Sequence, residues 1–135
     1  ETVRQWRRPV IVAEGLLMYL DAPQQRWLMS EIASALADKG TGAFIFDLVP
    51  QSEQPKPSIF GRILEFLMKR FTGGRTFVRD KRGRDDIQRE LTSAGFSRVD
   101  VLEPYRVAQL YELPFPGYKS QQLVFLCHMD VNESQ

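Results

Sequence analysis

Two carboxylates stand where apolar runs stop. Glu14 closes Val10-Ile11-Val12-Ala13, and Asp47 closes Ala43-Phe44-Ile45-Phe46. A carboxylate in such a place can accept hydrogen bonds from a ligand or from the amides of the loop it begins. For Glu14 and Asp47 both roles stay open at this level. Aromatic hydroxyls come next: Tyr19 lies shortly after Glu14, and Tyr105, Tyr111 and Tyr118 share one segment with Phe115. The sequence lacks G-x-x-x-x-G-K-[ST], H-E-x-x-H and G-x-S-x-G. "GTG" at Gly40 precedes a strand instead of following one, which excludes a dinucleotide fingerprint. Cys127 and the single His128 are too small a set for zinc, so no metal is expected and no catalytic residue is assigned.

The elements that must position these groups follow from the local pattern. Val10–Ala13 is β-branched without period-two alternation, which predicts a strand buried on both faces, the habit of parallel sheets. Asp21 with Gln24 three residues on, and Pro23 in the first turn, predicts a capped helix ending near Gly40. Its inward stripe reads as Trp27, Leu28, Ile32, Ala35 and Leu36. "GAFIFDL" is the next strand. A strand, helix, strand unit makes the two strands parallel with a right-handed crossover. Glu14 and Asp47 then share the carboxyl edge of the sheet, where open α/β folds bind ligands.

Ser58 can cap a further helix carrying Phe60, Ile63, Leu64, Leu67 and Phe71 and closed by Gly73-Gly74, either core packing or a lid. A third helix is expected from a cap at Asp85 with Gln88, with Ile87, Leu91 and Ala94 inward and Gly95 as its stop. "FSRVDVLEP" and "QQLVFLCHM" read as strands joined by a long aromatic loop. His128 reads as a core or edge histidine and Cys127 as a small core hydrophobe.

The 135 residues, 43% hydrophobic and 26% charged, fit one globular domain over 1–135, with 51–84 as a basic insertion bearing the candidate lid helix. Lys56 to Arg84 holds nine basic residues against Glu65 and Asp80, a net +7 that leaves −6 elsewhere. No run approaches the ~20 apolar residues of a membrane helix, and "ETVRQWRRP" has no signal-peptide core, so a cytoplasmic setting without membrane contact is expected. The chain opens at Glu1 and enters a strand within a few residues, which predicts a piece of something longer.

The words "RPVIVAEGLLMYL", "FIFDLVP", "LTSAGFSRVDVLEP" and "QQLVFLCHM", in this order, resemble the carboxyl-terminal half of class I S-adenosylmethionine-dependent methyltransferases, in particular the leucine carboxyl methyltransferase-like family that includes polyketide O-methyltransferases. The resemblance implies an α/β fold: a partial Rossmann-like sheet with strands ordered 4-5-7-6, the last antiparallel, and flanking helices. It puts Glu14 and Gly15, in the "EG-x-L-x-Y-L" word, at the cofactor, and Tyr19, Asp47 and Tyr111 near a small-molecule, carboxylate or hydroxyl acceptor. The family's glycine-rich loop and ribose-binding carboxylate have no counterpart here. The fragment is therefore expected to be inactive alone and to need its amino-terminal half for S-adenosylmethionine. Its first strand becomes an edge, which predicts a homodimer or pairing with that half. The competing expectation is a non-catalytic module binding an acidic partner or nucleic acid through 56–84; the segment matches no known nucleic-acid motif, which disfavours the nucleic acid.

Overall fold

The computed structural model describes residues 8–51, 81–114 and 121–131. In them four strands, β1 (Val10–Ala13), β2 (Thr41–Leu48), β3 (Arg98–Leu102) and β4 (Leu123–Asp130), form one sheet in the order β1-β2-β4-β3. β1 runs parallel to β2, and β4 is antiparallel to both of its neighbours. This is the mixed α/β arrangement expected, with the first strand at one margin.

Helix α1 (Ala22–Ala37) starts as its sequence dictates. The Asp21 carboxylate accepts from the Gln24 amide at 2.9 Å, and the Gln24 side chain accepts from the Asp21 amide at 2.9 Å. Its inward face is different from the expected stripe. Trp27 is 66% exposed and Ala35 is exposed, while Gln25, Met29, Ala33 and Leu36 are buried. Apolar residues occupy more than half of this helix's circumference, so their positions do not fix the centre of the stripe, and a buried glutamine marks it.

Helix α2 (Arg84–Ala94) begins two residues earlier than predicted, from Gly83, whose amide donates to the Asp86 carboxylate at 3.0 Å. Asp85 is not the cap, and Gln88 donates instead to the Val99 carbonyl at 3.3 Å, tying the helix to β3. Ile87 and Leu91 face inward, and Gly95 ends the helix with φ +115°. Pro104–Leu110 is helix α3, where the sequence reads as loop: Pro104 preorganises the first turn. The expected lid helix, most of the basic insertion, and Phe115 and Tyr118 lie outside the described residues.

The core fills one side of the sheet. Phe44, Phe46, Leu48, Leu123, Phe125, Cys127 and Met129 are buried, with Ile11, Ala13, Val99 and Val101 packed against them under α1 and α2. The register lines up the opposite side in cross-strand rows. Val10, Ala43, His128 and Arg98 form one, and Val12, Ile45, Leu126 and Asp100 the next. This corrects the prediction for β1. Val10 and Val12 are 58% and 65% exposed, on the face of the sheet that α1 and α2 do not cover.

Gly42 lies where α1 packs closely on the sheet. A Cβ there would stand 2.7 Å from Leu36 Cδ2 and 2.9 Å from the Pro9 carbonyl oxygen. The leucine tip can turn away, but the backbone oxygen cannot. Gly42→Ala is expected to destabilise the chain by about 1–3 kcal/mol, read from the urea midpoint. An unchanged midpoint would show that the turn at Pro9 yields freely.

Candidate functional site

At the carboxyl edge β1 hands over to a tight turn. Gly15 has φ +62°, a left-handed conformation that L side chains adopt at a cost, and this is why glycine follows Glu14. The turn continues into a single 3-10 turn, Leu17–Tyr19, that buries Leu17. Gln25, itself 2% exposed, donates to the Leu17 carbonyl at 2.8 Å and to the Leu20 carbonyl at 3.0 Å. These two bonds pin the segment that carries Glu14 onto α1.

The two carboxylates meet as their spacing predicts, since Ala13 pairs with Phe46 and the next residues are Glu14 and Asp47. Their surroundings differ. Asp47 is 7% exposed, its Oδ1 accepts from the Gly15 amide at 2.6 Å, and its Oδ2 accepts from the Gln122 side chain. Glu14 is exposed and, among the described residues, its carboxylate has no partner. Both border a cleft of about 280 Å3 whose walls include Val12, Ile45, Val124, Pro104 and Gln122. Small-molecule sites usually enclose roughly 300–1,000 Å3, so this cleft stands at the lower end of that range.

Tyr19 is 58% exposed on the 3-10 turn and does not line the cleft. Tyr111 is 68% exposed at the far end of α3, about 10 Å of helix rise from Pro104. The structure thus brings Glu14, Gly15 and Asp47 together and leaves the two tyrosines outside. Gln122 and Gln25 belong to the site's support and went unnoticed in the sequence, where a lone glutamine before a strand or inside a helix carries no signal.

Two other polar clusters are occupied by their own pairs. Between α1 and α2 a larger cavity of about 560 Å3 is bordered by Arg82, which donates to Glu90 and to the Gln25 side-chain oxygen, and by Arg89, paired with Asp86. Of the basic segment, Arg82 is thus neutralised by Glu90, and Arg84 lies 3.5 Å from Glu103. On the open face Asp100 accepts from Arg98 at 2.7 Å and lies 3.1 Å from His128 Nε2. The Arg98 hydrogen bond, opposed by burial and helped by His128, holds the Asp100 carboxyl below its ordinary range. A lowered folded value contributes stability above the ordinary carboxylate range that is lost as pH falls through that value. Cys127 is the core hydrophobe expected, its thiol pushed up to about 12 by burial. No group of metal-ligating side chains occurs among the described residues, nor does a helix long and apolar enough to cross a membrane.

No protein-family model and no curated protein matches the chain. Solved structures match its fold. A protein from Nostoc punctiforme described as a candidate O-methyltransferase is 18% identical with a TM-score of 0.54, over 88% of this chain and 31% of that one. Human N-acetylserotonin methyltransferase in complex with SAM is 11% identical with a TM-score of 0.55, over 90% and 29%. A SAM-dependent methyltransferase from Thermotoga maritima is 17% identical with a TM-score of 0.53, over 90% and 56%. The chain spans about a third of the length of the first two. At these identities the likeness is one of fold: the described sheet and helices have the architecture of methyltransferases.

Proposed function

We propose that this chain forms one wall of an S-adenosylmethionine-dependent O-methyltransferase site, with Glu14 accepting from the methionyl amine of the cofactor. The observation that carries this reading is an unpartnered carboxylate at the carboxyl edge of β1, on a left-handed glycine turn that lets a ligand approach the backbone. The glycine-rich loop and the ribose-binding carboxylate belong, in this reading, to strands that pair with the free edge of β1.

The chemistry is a direct displacement. S-adenosylmethionine, when bound, would supply a sulfonium methyl to an acceptor oxygen, and Glu14 would hold its methionyl amine. Such a transfer needs alignment and exclusion of water, and a base only where the acceptor is a hydroxyl. Tyr19 and Tyr111 stand exposed outside the cleft, and in this reading they reach the acceptor only through a part of the site that lies beyond it.

Titration of S-adenosylhomocysteine into the intact protein, meaning this chain together with the amino-terminal half that the reading requires, tests it. Glu14→Gln replaces a charge-assisted hydrogen bond by a neutral one and is expected to weaken binding about tenfold to a hundredfold. Equal affinities would remove Glu14 from the site. No binding by the unaltered protein would overturn the cofactor class itself.

A further inference from the structure

We infer that Asp47 is the positioning residue of this site, a buried clamp that holds the Glu14 turn and does not itself meet the ligand. The inference rests on the functional reading above and adds to it the residue that sets Glu14's place.

Asp47 spends each oxygen on a different segment. One accepts from the Gly15 amide, 32 residues away in sequence, and the other from Gln122, 75 residues away, at the entrance to β4. Asp47 as a residue is 7% exposed, and both of its carboxylate oxygens are already engaged. Glu14 is consequently held from both sides: Ala13 sits in the ladder with Phe46, and Gly15 donates to Asp47. The backbone of Glu14 is fixed while its side chain stays unpaired and exposed. The two adjacent carboxylates divide the work, because the donors that absorb the charge of Asp47 are absent from Glu14.

Clamp and ligand roles differ in what an amide can replace. Asp47→Asn keeps an oxygen for the Gly15 amide, and Gln122 can turn to present its own oxygen to the new NH2 group. Asp47→Ala removes both bonds. In the intact protein, Asp47→Asn is expected to hold S-adenosylhomocysteine within about threefold of the unaltered protein, while Asp47→Ala weakens it by about tenfold or more. In a Glu14→Gln background most of the Asp47→Ala effect should disappear, since both changes act through one carboxylate. Equal losses in the Asn and Ala variants would make Asp47 a ligand contact, and fully additive losses would separate it from Glu14. A second readout needs no cofactor. The Gly15 amide proton, bonded to a carboxylate, is expected to resonate downfield and exchange slowly, to shift modestly in Asp47→Asn, and to move upfield with fast exchange in Asp47→Ala. The backbone resonances of Glu14 should follow it. An unaltered protein that binds no S-adenosylhomocysteine would count against the functional reading alone, and a Gly15 resonance indifferent to Asp47→Ala would overturn the clamp.

Discussion

Phe125→Ala is expected to lower the stability of the chain by about 3–5 kcal/mol. Phe125 is fully buried and sits opposite Phe46 in the β2–β4 ladder, the rings stacked at 5.0 Å and 5°. Phe46 stacks in turn on Phe44 at 4.9 Å, and Phe44 approaches Phe96 at 6.2 Å. Truncating a buried phenylalanine costs about 3–5 kcal/mol through lost transfer energy and the cavity left behind. Domains of this size have total stabilities of about 5–15 kcal/mol, so that loss consumes most of a modest reserve. Helix α2 packs over the same layer and closes through Phe96, whose amide donates to the Leu91 carbonyl at 3.3 Å. The gap would thus reach both layers. Urea unfolding followed by circular dichroism measures it. A loss below about 2 kcal/mol would mean that the phenylalanines close over the gap.

The second large effect is on association. Among the described residues β1 pairs only with β2, so its outer amides and carbonyls face away from the sheet. Val10 and Val12 stand exposed beside them. Edges of this kind pair with further strands unless they are covered or charged. Complete burial of a valine is worth about 1.5–3 kcal/mol, and a two-fold pair would bring four of them together with new ladder bonds. The 135-residue chain is expected to be a dimer in light scattering, and Val12→Lys to return it to a monomer. Val12 is the right position because Ile11 packs against the core, where a lysine would unfold the chain instead of testing the edge. Addition of an amino-terminal half bearing the remaining strands should compete with the dimer. A monodisperse monomer from the unaltered chain would overturn the expectation.

Much of the fold was legible in local signals. The Asp21–Gln24 box, the stop at Gly95, the strand runs and the crossover that makes β1 and β2 parallel all act within a few residues, or follow from chain handedness. The order of the strands came from the "AEGLLMYL" and "FIFDLVP" words, which resemble a known sheet. Trp27 and Pro104 show where local signals give out. An indole on an apolar stripe and a proline at a strand's end each fit two structures, and the packing of neighbours chose between them.

The same division runs through the site. The sequence by itself determined that Glu14 and Asp47 end adjacent parallel strands, because each closes an apolar run on either side of one helix. Only the tertiary structure decided that they are unlike. Asp47 is enclosed by the Gly15 amide and the Gln122 side chain, and Glu14 is left open. Those partners lie 32 and 75 residues from Asp47, and the pairing of β2 with β1 and β4, with the turn at Gly15, brings them together. A carboxylate's role depends on which donors reach it, and donors that arrive from other strands leave no trace in the residues beside it.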